Sequence, residues 1–122
     1  MRLIIIDDHP SLLETLMNML KQVPGIEVVG SAGDGREGLR VAAELKPDLV
    51  LVDFSMPGLD GAAVTRQLKA SPKPPRVVMM SFHTEPEYRD MALAVGADAF
   101  LTKGDLHAQL APLLQRLGQE AD

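Results

Sequence analysis

Five polar residues of this 122-residue chain have side chains suited to binding a cation and phosphoryl oxygens. Two adjacent aspartates, Asp7 and Asp8, end an apolar run, and Asp53 ends another. Ser81 ends a third apolar run, and Lys103 closely follows a fourth. Carboxylates are ligands for hard cations such as Mg²⁺, whereas a hydroxyl and an ammonium group bind phosphoryl oxygens. These residues can act together only if the fold brings them to one place.

The apolar runs that precede these residues are predicted to be strands. Short apolar runs alternate with segments whose apolar residues recur every three or four positions, which indicates strands followed by helices. Strands are predicted at 2–6, 26–30, 49–53, 77–81 and 99–101, and helices at 11–22, 36–45, 62–70, 87–95 and 106–117. Pro112 lies inside the last helical pattern and predicts either a kink or a late helix start.

Continuous apolar strands separated by helices favour an α/β domain in which helices cover both faces of a parallel sheet. Five such units predict the flavodoxin-like (βα)5 doubly wound fold, a five-stranded parallel sheet in strand order 2-1-3-4-5. In that order the carboxyl ends of strands one and three border a crevice. Asp7, Asp8 and Asp53 should therefore meet at one edge of the sheet, with Ser81 and Lys103 nearby.

Three carboxylates at one edge repel one another unless a cation lies among them. A small, open set of oxygen ligands favours Mg²⁺ (or Mn²⁺), which keeps several waters and pairs with a phosphoryl group. Ser81 and Lys103, on the other side of Asp53, supply a donor and a positive charge for phosphoryl oxygens. The cluster predicts a site that places a phosphoryl group on Asp53.

Length and composition predict a single domain over residues 1–122, with 46% hydrophobic residues available for a core. The chain has no cysteine, which excludes disulfides and thiol chemistry and suits a cytoplasmic protein. No apolar run approaches the roughly 20 residues that span a bilayer, and no signal peptide is expected. A formal net charge of −5 gives this domain no general attraction to nucleic acid or anionic lipid.

The sequence resembles the receiver domains of bacterial two-component response regulators from Leu3 to Leu117. The segments IIIDD, LVDFSMPGLDG, VVMMS and AFLTK occur in the order and at the spacing typical of that family. Pro57 and Gly61 likewise stand four and eight residues after Asp53. The resemblance implies a phosphorylation-dependent signalling switch that catalyses only its own phosphotransfer and dephosphorylation, not an enzyme acting on a separate substrate.

The resemblance also implies a role for individual residues. Asp53 would accept the phosphoryl group from a phosphohistidine on a sensor histidine kinase. Asp8 would bind Mg²⁺ directly, Asp7 mainly through water, and Ser55 through its backbone carbonyl.

The same resemblance implies three residues that respond to the phosphoryl group. Ser81 and Lys103 would contact it. Phe100, three residues before Lys103, would be the aromatic switch residue that turns from an outward to an inward rotamer. The surface formed by the fourth helix, the fifth strand and the fifth helix is then expected to mediate homodimerisation or contact with an output domain.

The segments MMSFHTEPEY and AFLTKGDL look most like the NarL/FixJ (LuxR-type) subfamily. Members of that subfamily usually carry a C-terminal helix-turn-helix domain, so transcriptional regulation is the expected output. DNA would be bound only through such a separate domain. This chain ends just after the fifth predicted helix, as expected either of a receiver fragment or of a stand-alone receiver.

Two positions depart from the usual family pattern. Gly104 follows Lys103 where most receivers have a proline in a cis peptide, so no cis bond is expected there. Phe82 stands where a small residue is common and is expected to narrow access to Asp53. His83 is expected to border the site without acting as a ligand, and His9 to be an exposed residue at a helix start.

Two other functions are compatible with parts of the sequence. The segment GDGREG at 33–38 matches the GxGxxG pattern of dinucleotide-binding proteins, although it follows the second predicted strand, which lies at a sheet edge. A Mg²⁺-dependent phosphohydrolase could also use Asp53 as its nucleophile. The chain has no insertion large enough to cap or select a substrate, which argues against that enzyme.

Overall fold

The computed structural model describes residues 1–120 and contains five strands and five α-helices in alternation. The strands are β1 (Arg2–Ile6), β2 (Glu27–Ala32), β3 (Leu49–Asp53), β4 (Arg76–Ser81) and β5 (Ala99–Thr102). The helices are α1 (Pro10–Leu20), α2 (Gly35–Leu45), α3 (Gly61–Lys69), α4 (Pro86–Ala94) and α5 (Leu106–Glu120), with a 3₁₀ helix at Lys103–Asp105.

All neighbouring strands are parallel, and the sheet order is β2-β1-β3-β4-β5. The predicted flavodoxin-like fold and strand order are confirmed. Because all five strands run in the same direction, their carboxyl ends lie along a single edge of the sheet. That edge carries Asp7 after β1, Asp53 in β3, Ser81 in β4 and Lys103 after β5.

The core has two halves, one on each face of the sheet. Successive strand residues point to opposite faces, so Ile4 and Ile6 lie in one half and Leu3 and Ile5 in the other. The last four residues of β1 and all five of β3 are buried, which explains why residues 3–6 and 49–52 are all apolar. Each fully buried Leu, Ile or Val contributes about 1.5–3 kcal/mol, so this core holds the two central strands firmly in register.

Element boundaries differ from the sequence prediction by a few residues. β2 is shifted toward its carboxyl end, to Glu27–Ala32, and Ile26 packs against the core before the strand begins. The late start considered for α5 is wrong, since the helix begins at Leu106 and continues through Pro112. Pro112 has no N–H to donate to the backbone carbonyl four residues earlier in the helix. Because Pro112 is exposed, water can donate a hydrogen bond to that carbonyl instead. Buried leucines hold the opposite face of α5 against the core.

All described peptide bonds are trans, including the bond between Lys103 and Gly104. Within the described residues, no helix combines the length and the apolar character that crossing a membrane requires.

Candidate functional site

Three aspartates and a lysine meet at the carboxyl edge of the sheet. Asp7 and Asp53 are buried, with 0% and 2% of their surface exposed, and the Lys103 side chain is 1% exposed. Asp8 is more open, because 26% of its side chain is exposed. These positions follow from the buried strands β1 and β3, which end side by side and carry their terminal carboxylates to the same place.

Lys103 lies between two of these carboxylates. Its Nζ is 2.9 Å from Asp7 Oδ2 and 3.2 Å from Asp53 Oδ1. Ser55 donates its backbone N–H to Asp53 Oδ1 at 3.3 Å. Asp53 Oδ1 is therefore engaged by an ammonium group and a backbone amide, whereas Asp53 Oδ2 has neither partner.

Three buried carboxylate oxygens in the pocket accept no hydrogen bond within the described residues: Asp7 Oδ2, Asp8 Oδ1 and Asp53 Oδ2. Asp7 Oδ2 is paired with the Lys103 ammonium, whereas Asp8 Oδ1 and Asp53 Oδ2 have no ammonium beside them. These last two oxygens are shielded from water, so an ionised carboxylate would be poorly solvated there. Asp7, Asp8, His9 and Asp53 each offer a ligand atom, and these atoms all lie within 4.8 Å of one another. Three carboxylates facing one ammonium group leave a negative pocket, and their hard oxygen donors fit a Mg²⁺ or Mn²⁺ ion.

Burial raises the pKa of the Asp53 carboxyl from 3.8 to about 6. Lys103 acts in the opposite direction because its ammonium stabilises the ionised form, whereas the negative charge of Asp7 raises the pKa further. In the metal-free domain, Asp53 is consequently costly to ionise near neutral pH.

A stability measurement can detect this cost. In EDTA at about pH 7, we expect Asp53→Asn to raise the free energy of unfolding by about 1–3 kcal/mol. The folded-state pKa of Asp53 is raised above the value of 3.8 expected for an unfolded chain, so stability is lost as pH rises from about 4 through about 6. The increase in the free energy of unfolding caused by Asp53→Asn should be complete above about pH 6 and nearly absent below about pH 4.

Urea unfolding at both ends of this pH window measures the effect. Asp90→Asn, which removes an exposed carboxylate on α4, is a matched control and should change stability little at either pH. A gain from Asp53→Asn of the same size at both pH values would contradict a buried, ionised Asp53.

The turn after β3 holds the Asp53 backbone closely. Phe54 donates its N–H to the Met80 carbonyl at 2.8 Å, and its own carbonyl accepts from Gly61 N–H at 3.0 Å. A Cβ on Gly61 would lie 2.2 Å from the Asp53 carbonyl oxygen, so only glycine lets α3 begin this close to the strand. The close approach of α3 to the end of β3 therefore explains why glycine stands eight residues after Asp53.

Ser81 is 1% exposed and ends β4, one residue beyond the β4 partner of Asp53. Its Oγ accepts a hydrogen bond from the His83 N–H at 3.0 Å. The His83 ring stacks on Tyr88 of α4, with ring centroids 4.3 Å apart. The Ser81 hydroxyl is therefore linked through one loop residue to α4.

Phe82 lies over the mouth of the pocket and is 66% exposed. Lys103 Nζ is 4.9 Å from the centroid of the Phe82 ring, and the ring meets His9 edge-on at 6.4 Å. The exposed ring therefore lies beside two residues that contact the carboxylates, and its expected effect on access to Asp53 stays a prediction. Its contact with the ammonium also adds a favourable cation–π interaction.

His9 is the residue of this pocket that the sequence prediction missed. Its side chain is 51% exposed at the start of α1, as expected, yet its Nδ1 lies 2.9 Å from Asp7 Oδ1 and 3.1 Å from Asp8 Oδ1. Nδ1 is also 3.7 Å from Asp53 Oδ2. The adjacency of His9 to Asp7 and Asp8 was the available signal, but sequence alone does not give the direction of a ring.

Phe100 does not point outward as expected. It is 5% exposed and packs in the half of the core that faces α4, with the Arg89 guanidinium 5.4 Å from its ring centroid. A phenylalanine has no hydroxyl to keep in water, so burial of the whole ring is favourable in this state. The expected outward rotamer is therefore wrong for this structure.

The GxGxxG segment has a structural explanation. A Cβ on Gly38 would lie 2.4 Å from Ile6 Cδ1, and one on Gly35 would lie 2.4 Å from the Leu59 carbonyl oxygen. At the N-terminus of α2, Asp34 Oδ1 already accepts the Glu37 N–H at 2.8 Å, where a pyrophosphate would have to bind. The segment also follows β2, which is an edge strand. These features argue against a dinucleotide site.

Comparison with known families matches residues 3–115 to the response regulator receiver domain. The chain belongs to this family. The receiver domain identified from the motifs in the sequence is thereby confirmed, as is its role as a domain of two-component response regulators.

Individual relatives of this receiver domain lie in the NarL/LuxR group. The response regulator GacA of Pseudomonas viridiflava is 38% identical over 116 residues, which cover 95% of this chain and 53% of GacA. The nitrate/nitrite response regulator NarL of Escherichia coli K12 is 36% identical over 119 residues, covering 98% of this chain and 54% of NarL. The chain therefore spans about half the length of these relatives.

A solved structure gives the same result for the fold. The signal receiver domain of the response regulator NarL from Mycobacterium tuberculosis superposes with a TM-score of 0.90 at 33% identity, covering 97% of this chain and 95% of that one. The predicted likeness to the NarL/FixJ subfamily is confirmed by these relatives.

Proposed function

We propose that this receiver domain is a phosphorylation-dependent switch in which Asp53 accepts a phosphoryl group from the phosphohistidine of a sensor histidine kinase. The observation that carries the proposal is the state of the Asp53 carboxylate. One oxygen lies 3.2 Å from Lys103 Nζ, whereas Oδ2 is buried and accepts no hydrogen bond from the described residues. Such an oxygen keeps its lone pairs available for attack on phosphorus.

The transfer needs one bond to form and one to break. Asp53 Oδ2 attacks the phosphorus atom, the bond from phosphorus to the kinase imidazole nitrogen breaks, and the imidazole leaves with that electron pair. Lys103 is placed to neutralise charge on the phosphoryl oxygens, and the Ser81 hydroxyl to donate a hydrogen bond to one of them. Hydrolysis of the acyl phosphate by water returns the domain to its starting state. The domain would therefore catalyse only the gain and loss of its own phosphoryl group.

The acidic pocket is suited to holding a divalent cation beside Asp53. Asp8 and Asp53 would bind it through carboxylate oxygens, Ser55 through its backbone carbonyl, and Asp7 mainly through water. When bound, Mg²⁺ (or Mn²⁺) would supply positive charge to the phosphoryl oxygens in addition to that of Lys103. The buried, unpaired oxygens of Asp8 and Asp53 support this assignment.

Phosphoryl incorporation is expected to require divalent metal. Incubation with acetyl phosphate and Mg²⁺ should add one phosphoryl group per chain, and EDTA should reduce the yield to background because the carboxylates then repel the incoming phosphoryl group. Intact mass spectrometry measures both results. Full yield in EDTA would contradict the proposed metal site, and sustained, kinase-independent hydrolysis of a phosphate ester would indicate a phosphohydrolase instead.

The response of the domain is proposed to begin at Ser81. When its hydroxyl turns toward a phosphoryl oxygen, the hydrogen bond from the His83 N–H and the stack of His83 on Tyr88 provide a route to α4. Phe100 is already buried before phosphorylation. It would contribute to the response through its packing against α4. The surface of α4, β5 and α5 would then change, favouring homodimerisation or contact with an output domain.

Methyl and aromatic NMR shifts with and without beryllofluoride, a stable mimic of the phosphoryl group, measure this response. We expect shifts at Tyr88 and Phe100 and in the methyl groups of α4, in addition to those at the site. In Tyr88→Leu, which removes the ring stacked on His83, the shifts in α4 should decrease while those at the site remain. Shifts confined to the site in the unmodified domain would contradict this output surface.

Residues 1–122 are proposed to form one receiver domain that works in the bacterial cytoplasm, away from membranes. Its output is proposed to be transcriptional, through a separate helix-turn-helix domain that contacts DNA. A further relative supports this output by its name: the transcriptional regulatory protein LiaR of Bacillus subtilis is 33% identical over 114 residues, covering 93% of this chain and 54% of LiaR.

A further inference from the structure

The His9 ring lies against all three carboxylates of the acidic pocket. Its Nδ1 is 2.9 Å from Asp7 Oδ1, 3.1 Å from Asp8 Oδ1 and 3.7 Å from Asp53 Oδ2. The last two oxygens are buried and accept no hydrogen bond within the described residues. A single nitrogen therefore borders the space between the carboxylates in which a cation would be bound.

The spacing of these atoms is that of ligands around one metal ion. Metal–ligand distances of about 2.1 Å place adjacent ligands of an octahedral ion about 3 Å apart. The separation of Nδ1 from Asp8 Oδ1, 3.1 Å, agrees with that value, and its separation from Asp53 Oδ2, 3.7 Å, is somewhat longer. The 2.9 Å contact of Nδ1 with Asp7 Oδ1 is a hydrogen bond that holds the ring beside the pocket. His9 consequently needs little movement to become a ligand beside the carboxylates.

Local structure holds the ring in this orientation. Pro10 restricts His9 to an extended backbone conformation, and His9 has φ −104° and ψ 103°. The His9 N–H donates to Asp7 Oδ1 at 2.9 Å, which ties the backbone to the pocket. The edge-on contact with Phe82 at 6.4 Å supports the exposed side of the ring.

We propose that His9 Nδ1 is a direct ligand of the metal ion bound by Asp8 and Asp53, and that it makes the pocket prefer a first-row transition-metal ion such as Mn²⁺ over Mg²⁺. This inference rests on the metal site of the proposed function. An imidazole nitrogen binds transition-metal ions well, whereas Mg²⁺ prefers oxygen ligands and water. Removing the ring should therefore weaken Mn²⁺ binding much more than Mg²⁺ binding.

Pulsed electron paramagnetic resonance of the Mn²⁺-loaded domain tests the inference without any measurement of activity. We expect the spectrum of the unmodified domain to show coupling of Mn²⁺ to a directly bound ¹⁴N nucleus, and His9→Asn to abolish it. The preference for Mn²⁺ over Mg²⁺, measured by competition, should fall about tenfold in His9→Asn. His107→Asn, which removes an exposed histidine on α5, should leave both the coupling and the preference unchanged.

The outcomes separate this inference from the proposed function. Mn²⁺ binding that Asp53→Asn weakens, but that shows no nitrogen coupling, would overturn the role of His9 and leave the metal site standing. In that case Nδ1–H serves as a hydrogen-bond donor to Asp7. Mn²⁺ binding that neither His9→Asn nor Asp53→Asn changes would overturn the metal site as well.

Discussion

Asp53→Asn is expected to abolish phosphoryl incorporation from acetyl phosphate, down to the background of the mass measurement. Asparagine keeps the shape of the side chain but has no anionic oxygen to attack phosphorus. The loss should occur although the variant is more stable than the unmodified domain in EDTA, because the buried charge is gone. Higher stability together with lost reactivity is a combination that general unfolding cannot produce.

Asp90→Asn is the matched control for this variant, since it removes an exposed carboxylate on α4 by the same chemical change. It should be phosphorylated to the same extent as the unmodified domain. If Asp53→Asn were phosphorylated at full yield, another residue would be the acceptor.

Lys103→Met is expected to slow phosphorylation about 10²- to 10³-fold, the range typical of losing one group that stabilises charge in the transition state. Methionine preserves much of the length and apolar character of the side chain but has no positive charge. In EDTA the variant should also lose about 3–5 kcal/mol of stability, because the buried carboxyl groups of Asp7 and Asp53 would lose the ammonium that pairs with both of them. Mg²⁺ should restore part of that loss.

Lys69→Met separates these two effects. Lys69 Nζ is 3.0 Å from Asp98 Oδ2 in an ion pair outside the pocket, so its loss should lower stability without slowing phosphorylation. Rates for all three proteins should be measured by stopped-flow or quenched reactions at a temperature where each is folded. An unchanged rate in Lys103→Met would show that Lys103 only stabilises the fold.

The fold and the position of the acidic pocket could be predicted because they depend on strong, simple patterns. β1 and β3 are apolar runs ending in carboxylates, and parallel strands place those ends at one edge of the sheet. The boundaries of β2 were harder to predict, because only its last residue is fully buried and its apolar pattern is weak.

Side-chain directions could not be predicted from these patterns. The ring of His9 turns toward the carboxylates because Pro10, the Asp7 carboxylate and Phe82 act on it together. Phe100 is buried because the core beneath α4 has room for its ring, a property of packing between distant segments. Pro112 could not be judged from sequence either, since its cost depends on whether its face of α5 meets water.

Locating the phosphoryl group on the chain tests most directly whether Asp53 is the phosphoacceptor. The domain would be phosphorylated with acetyl phosphate and Mg²⁺, treated with borohydride to reduce the acyl phosphate to homoserine, and digested for tandem mass spectrometry. We predict homoserine at position 53 alone, and none when EDTA replaces Mg²⁺. Homoserine at position 7 or 8 with Asp53 unmodified, or incorporation that borohydride cannot trap, would contradict the phosphoacceptor role of Asp53.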